Sequence, residues 1–303
     1  MYDIVILTER RYDKVQNRNW YTDQVILEDR IVQISLEKKG FKVVRVPWDT
    51  PNFDWTKTKF ALFRSTWDYF DRYEAFFTWF EKTRKQLIFI NDPKLICWNL
   101  DKHYLLDLKR KKIKIPKTIF LDRGYKKKIK KILQSVSWDK AVLKPAIGAA
   151  ARETFLITRN NYQKHEKDLQ RLCENESMLF QEFQYRIQNQ GEISFIMIGG
   201  KFTHAVLKKA KAGDFRVQDD FGGSVEDYHP SKNEIEFAKF AIRSCPKTPI
   251  YARVDAFYDN ENELCLGELE LIEPELWFRK CPAAADILAE EIYLLYEQIF
   301  NNE

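Results

Sequence analysis

Tyr251-Ala-Arg-Val-Asp-Ala-Phe-Tyr-Asp-Asn-Glu-Asn-Glu-Leu-Cys-Leu-Gly-Glu-Leu-Glu-Leu271 has the alternation of a β-hairpin with one charged face. With the turn centred on Glu261 and Asn262, Asp255 stands opposite Glu268 and Arg253 opposite Glu270, because side chains alternate with period two along each strand. The other face reads Ala252, Val254, Ala256, Leu269 and Leu271, a core face. Three carboxylates beside one guanidinium repel one another unless a cation sits among them, and hard oxygen ligands of this kind suit Mg²⁺ bridging substrate phosphates. A solvated charged face on an edge hairpin is the alternative.

Toward the N-terminus the pattern changes. Ile4–Leu7 reads as a buried strand, Asp23–Lys39 as an amphipathic helix closed by Gly40, then Val43–Val46, Phe60–Phe63, a helix from Tyr73 to about Lys85, and Leu87–Ile90. This strand–helix rhythm argues for a parallel sheet covered on both faces. Beyond it, short strands are expected at Val142–Lys144, Phe155–Thr158 and Leu179–Phe183, with helices at Lys126–Leu133 and Tyr162–Leu172. A long hairpin through Gly199-Gly200, a helix Asn233–Ser244 and a closing helix Ala285–Ile299 complete the chain. Gly199-Gly200 fits a two-residue turn because both positions take positive φ freely, and it sets Ile198 opposite Lys201 and His204 opposite Phe195.

The 303 residues suffice for two or three compact units, and 22 Phe, 14 Tyr and 8 Trp within a 45% hydrophobic chain exclude disorder. The net charge of +5 is small, and its basic excess lies between Lys109 and Lys131. That run is a candidate nucleic-acid surface, but its interleaved Leu105, Leu108, Ile113, Ile115, Ile129 and Ile132 favour the wet side of folded elements, which makes nucleic acid an unlikely partner. Five dispersed cysteines without a Cys-x-x-Cys pair fit reduced thiols in the cytoplasm, and no signal or membrane-length apolar run is present. The tryptophans read as core or pocket wall, except Trp55, which falls in a polar loop and is expected to be exposed.

Lys144 ends an apolar strand just before Pro145-Ala-Ile-Gly-Ala-Ala-Ala-Arg152. Small residues let backbone amides approach a phosphate, and the lysine adds a point charge; a plain tight turn explains the loop equally well. Neither a Walker loop nor G-x-G-x-x-G occurs. Phe180-Gln-Glu-Phe183 ends another strand, where free backbone groups can pair with an adenine edge, and Glu192 follows at a distance suited to ribose hydroxyls.

Taken in order, Asp101-Lys102, Ile115-Pro-Lys-Thr118, Lys144-Pro145, Gln181-Glu-Phe183, Gly191-Glu192, Asp214-Phe-Arg216, Gly222-Gly223, Arg253-Val-Asp255 and Glu268-Leu-Glu270 resemble the ATP-grasp superfamily, the fold of glutathione synthetase and D-alanine–D-alanine ligase. The resemblance spans nearly the whole chain. It implies an α/β fold with an α+β lid: an N-terminal parallel α/β substrate-side domain over residues 1–98, a central two-layer lid subdomain over 99–183, and a C-terminal mixed-sheet, metal-binding subdomain over 184–303. It also implies Lys102 and Lys144 on ATP, Gln181, Glu182 and Phe183 as the adenine hinge, Glu192 on the ribose, and Asp255, Glu268 and Glu270 on two Mg²⁺ ions, with Mn²⁺ as a substitute. The family writes its last metal motif Glu-x-Asn, where this chain has Glu268-Leu-Glu270, so an oxygen ligand is kept and a charge added. Arg64-Ser-Thr-Trp-Asp-Tyr69, Gly213-Asp-Phe-Arg-Val-Gln-Asp-Asp-Phe-Gly-Gly223 and Glu268-Leu-Glu-Leu-Ile-Glu-Pro274 together resemble more loosely the branch that contains the cyclo-ligase of cycloserine biosynthesis.

The activity so implied is ATP- and Mg²⁺-dependent ligation: a small-molecule or peptide carboxylate is activated as an acylphosphate and joined to an amine or similar nucleophile. Arg216 and Arg253 are the candidates for stabilising charge developed in transfer. Arg216, with Gly222 and Gly223, sits in a loop able to close over substrate. Arg64, ending a parallel strand, is a candidate substrate-carboxylate ligand, against an Arg64–Asp68 ion pair. His204 shares a face with Lys208 and is a weaker substrate candidate, against a structural role. A cyclo-ligase or small-molecule kinase, and a nucleotide-regulated binding protein, are the alternatives; a homodimer is a further expectation.

Overall fold

The computed structural model describes residues 1–148, 152–211 and 223–300. The strands β1 (Tyr2–Thr8), β2 (Val43–Pro47), β3 (Thr58–Ser65) and β4 (Ile88–Ile90) form a parallel sheet ordered β2-β1-β3-β4. Between them run α1 (Trp20–Lys38), which starts at a capping box between Asn19 and Thr22, and α2 (Tyr73–Thr83). The strands read as unbroken apolar runs because both faces are covered. Ile4, Ile6, Phe60 and Leu62 face α1 and the C-terminal helix, while Val5, Leu7, Ala61 and Phe63 pack on Phe76 and Phe80 of α2.

Two short helices follow, α3 (Pro93–Leu100) and α4 (Tyr104–Arg110). Neither was expected, although Asp92 caps α3 and Pro93 opens it, a readable start signal. The second sheet is antiparallel, ordered β5-β8-β6-β7 from β5 (Thr118–Leu121), β6 (Lys140–Pro145), β7 (Phe155–Thr158) and β8 (Met178–Glu182). The helices α5 (Ile129–Ser135) and α6 (Glu166–Asn175) bury Ile129, Ile132, Leu169 and Leu172 against it. α5 begins three residues later than expected, and Tyr162–His165 forms a 3-10 turn ahead of α6.

After α7 (Tyr185–Gln190) comes the third sheet, ordered β11-β10-β9-β12-β13. Its strands are β9 (Glu192–Ile198), β10 (Lys201–Lys209), β11 (Ser224–Tyr228), β12 (Tyr251–Tyr258) and β13 (Leu264–Glu270), with α8 (Lys232–Arg243) between β11 and β12. Expected as mixed, this sheet is antiparallel at every described ladder. Asp255 does pair with Glu268 and Arg253 with Glu270, but the register shifts beyond them, so that Ala256 pairs with Leu266 and Gly267 is an extra, bulged residue. A second bulge after Phe202 moves His204 opposite Ile196 instead of Phe195. The closing helix α9 (Ala283–Phe300) does not cap the third sheet alone: its Ala284, Leu288 and Ile292 share one core with Ile4, Val32 and Phe60. Trp55 packs at 5.3 Å on Trp79, whereas Trp20 is the exposed indole.

Candidate active site

The ends of β6, β8 and β10, the start of β9, and the charged face of β12–β13 converge on a cavity of about 590 Å³, closed from the first sheet's side by Arg11, Tyr21, Trp67 and Phe70. One end is cationic. Lys102, at the start of the α4 region, reaches the carbonyl oxygen of Gly148 at 2.5 Å and Glu268 at 3.0 Å. Lys144 lines the same end with no salt-bridge partner among the described residues, and burial lowers its pKa. Beside them lie Gln181, Glu182 and Phe183, where β8 leaves the sheet; the Gln181 amide donates to Thr118 Oγ1 at 2.9 Å.

The acidic wall is built by the hairpin register. Asp255 is buried and accepts from Ser194 Oγ at 2.6 Å, Lys208 Nζ at 3.0 Å and the Arg253 guanidinium at 2.9–3.1 Å. Burial alone would raise its pKa, but Arg253 and Lys208 hold it well below the ordinary range. Lys208 also pairs with Glu192 at 2.7 Å, and its own pKa is raised because Asp255 and Glu192 outweigh desolvation. Glu270 pairs with Arg253, yet burial, with Asp255 and Glu268 beside it, pushes its pKa up to about 7. Glu268 is lowered despite burial, by Lys102 and Lys144.

The expectation of three carboxylates beside a single guanidinium is therefore corrected: Lys102, Lys208 and Arg253 are interleaved with them. Among the described residues no three acidic or other ligating side chains stand close enough to hold an ion as they are. The donor set nevertheless fits Mg²⁺. It is all oxygen, and Glu270, raised by burial and then by Asp255 and Glu268 beside it, is a carboxylate whose ionised form a divalent cation would favour.

Glu273, Glu275 and Trp277 line the far wall. Their backbone is held from several elements: Trp67 Nε1 donates to Glu273 O at 2.9 Å, Arg64 to Pro274 O at 3.0 Å, Arg253 to Glu275 O at 3.4 Å, and His204 Nε2 meets Leu276 O at 2.9 Å. The Glu28 carboxylate accepts the N–H groups of Phe278 and Arg279, each at 2.9 Å. Arg64 and His204 thus do not line the cavity. Arg64 is 3% exposed, facing Glu28 and Asp29 at 3.6–3.8 Å, and Asp68 pairs instead with Arg72. Gly223 lies just before β11 and does not line the cavity either, and Arg216 and Gly222 fall outside the described residues.

Sequence reading missed Lys208 as a site residue, although a lone lysine on the face shared with His204 was a signal. It also missed Glu273, whose carboxyl is bonded to Tyr69 and pushed to about 8 by burial and by Glu270. The basic run is partly structural: Lys114 meets Asp259 at 2.6 Å and Lys117 meets Glu261 at 2.9 Å, tying it to the hairpin turn. No described helix is long and apolar enough to cross a membrane.

The RimK-like ATP-grasp domain model matches residues 100–270, more than half of the chain, and the chain belongs to that family. It is an ATP-dependent enzyme of the carboxylate–amine ligase class. The model of the N-terminal domain of D-cycloserine synthetase DcsG matches residues 4–91. The cycloserine biosynthesis protein DcsG of Streptomyces lavendulae is 24% identical over 243 residues, covering 76% of this chain and 80% of that protein. The crystal structure of D-cycloserine synthetase DcsG superimposes with a TM-score of 0.83 at 19% identity, over 95% of this chain and 98% of the other. D-alanine–D-alanine ligase from Bacillus anthracis gives 0.63 at 14% identity, with 97% of each chain covered.

Proposed function

We propose that ATP lies with its phosphates between Lys102 and Lys144, its adenine against Gln181–Phe183 and its ribose near Glu192, and that the organic substrate sits against Glu273, Glu275 and Trp277. Lys144 carries this reading: an enclosed ammonium with no salt-bridge partner among the described residues is an open anion site. In the same reading residues 1–98 close the substrate side, while 99–183 and 184–303 clasp the nucleotide. Glu268 and Glu270, with Asp255, are the ligands for two Mg²⁺ or Mn²⁺ ions, which when bound neutralise phosphate charge during transfer.

The chain's own residues do the rest. A substrate carboxylate oxygen attacks the γ-phosphorus of ATP, the bond to ADP breaks, and an acylphosphate forms. The nucleophile's nitrogen then attacks the carbonyl carbon, phosphate leaves with the C–O bond electrons, and the nitrogen's proton passes to solvent. Arg253, fixed by Asp255 and Glu270, faces the region where negative charge develops in both steps, and a guanidinium already in place there needs no reorganisation. Arg216 is assigned the same task from its motif.

Screening carboxylic acids and amines for ADP release, with Glu268→Gln as control, tests this directly. Release of ADP with a covalent product supports it, while release of AMP, or none with any pair, counts against it. The match of residues 4–91 to the DcsG N-terminal domain favours a second reading, cyclisation of one substrate carrying both groups. Mass spectrometry separates the two, because cyclisation needs a single organic substrate and leaves a product one water lighter.

A further inference from the structure

We propose that Arg152 is a third cation of the triphosphate site, rather than a structural partner of Glu176; this rests on the nucleotide end proposed above. Arg152 lines the cavity together with Lys102, Lys144 and Gly148. Its guanidinium is held in place by Glu176, with Nη1 at 3.1 Å from Oε1 and Nη2 on the other oxygen, and Nη2 also donates to Ile147 O at 3.0 Å. Nε, by contrast, is buried and has no hydrogen-bond partner among the described residues.

A buried N–H left unpaired costs free energy until a partner arrives, and Arg152, unlike the similarly unpaired Arg64, lines the cavity where such a partner would bind. The unpaired atom stands beside the phosphate loop. A methyl group built on Gly148 would lie 3.6 Å from Arg152 Nε, while the Gly148 carbonyl accepts from Lys102 on its other side. Gly148 is thereby flanked by two cations, with Lys144 lining the same end. Glu176 does not itself line the cavity, so it fixes the arginine from behind and offsets part of its charge while Nε stays on the cavity side. A planar fork so positioned suits phosphate oxygens, which a point charge at Lys144 meets without directional demand.

Calorimetric titration of the intact protein with ATP and with AMP tests the assignment. Arg152→Gln is expected to weaken ATP binding about tenfold while changing AMP binding less than about twofold, since AMP has no β- or γ-phosphate to lose. Glu176→Gln, which removes the same ion pair from the other side, is expected to leave ATP affinity equal to or tighter than wild type. Arg152→Lys, keeping charge but not the fork, falls between wild type and Arg152→Gln, and carries the test if the glutamine variant does not fold. The proposal is overturned if Arg152→Gln and Glu176→Gln weaken both nucleotides alike, the signature of a structural latch. It is also overturned if Arg152→Gln binds ATP normally: with Lys144→Ala still impaired, the nucleotide end stands without Arg152, and with both variants unaffected, the nucleotide end itself is misplaced.

Discussion

Glu268 faces Lys102 at 3.0 Å and, unlike Asp255 and Glu270, is not paired with Arg253 or Lys208, so among the three proposed metal ligands it is the side chain freest to turn toward a metal. Glu268→Gln should cut Mg²⁺-dependent turnover by ~10²-fold or more with little change in melting temperature, on the several kcal/mol a catalytic metal contributes. Glu270→Asn keeps an oxygen ligand and should be milder; equal activity loss in both, or none in the first, would refute this ligand assignment. Glu273 makes a pH prediction. Its folded pKa of about 8 lies above the ordinary 4.5, so between those values the unfolded chain has released the proton while the folded protein still holds it. Stability contributed by the neutral group is therefore full below about pH 4.5 and is lost as pH rises toward about 8. Glu273→Gln stays neutral, so its melting temperature should gain on wild type steadily across that interval and no further above it; a constant difference would show that Glu273 ionises normally.

At the scale of elements, the β12–β13 bulge places the chemistry. Gly267 is the extra residue, and a Cβ there would meet the buried Phe257 ring at 2.8 Å and Glu192 Oε1 at 3.0 Å. Gly267→Ala should destabilise the protein by ~1–3 kcal/mol in chemical denaturation, the usual cost of overpacking, because the ring and the Glu192 carboxylate must both shift to admit a Cβ. A neutral result would mean that the bulge relaxes freely. The Glu273–Arg279 segment is ordered differently, by side chains on its carbonyls and by Glu28 on its amides. His204→Phe should raise hydrogen exchange in a peptide covering 276–281 while leaving 251–258 protected, and His204→Gln, which keeps a donor, should restore protection. Equal exchange in all three proteins would remove His204 from this role.

At the scale of the molecule, the first sheet completes its core with α9 and with Leu276–Phe278 from far along the chain. Residues 1–98 expressed alone should therefore lack a cooperative melting transition, leaving Ile4, Ile6, Val32 and Phe60 half covered; a sharp transition would show that the N-terminal unit folds by itself. Conversely, Lys126, Lys127 and Lys128 are exposed and make no described ion pair, and their joint replacement by Gln should leave turnover near wild type. What the amino-acid sequence determined by itself was local and periodic: the buried runs Ile4–Leu7 and Phe60–Phe63, the Gly199-Gly200 turn, and the pairing of Asp255 with Glu268 and Arg253 with Glu270 all follow from alternation and turn chemistry. The order of the motifs was enough for the family. Only the tertiary structure decided which charges neutralise which, because Lys208 reaches Asp255 across two ladders and Glu28 reaches Arg279 across most of the chain, separations on which residue spacing is silent. It also decided that Arg64 and His204 hold a wall instead of facing the cavity, since a one-residue bulge and the packing of α1 against the C-terminal loop reset where a side chain ends up without altering the pattern that predicts its strand.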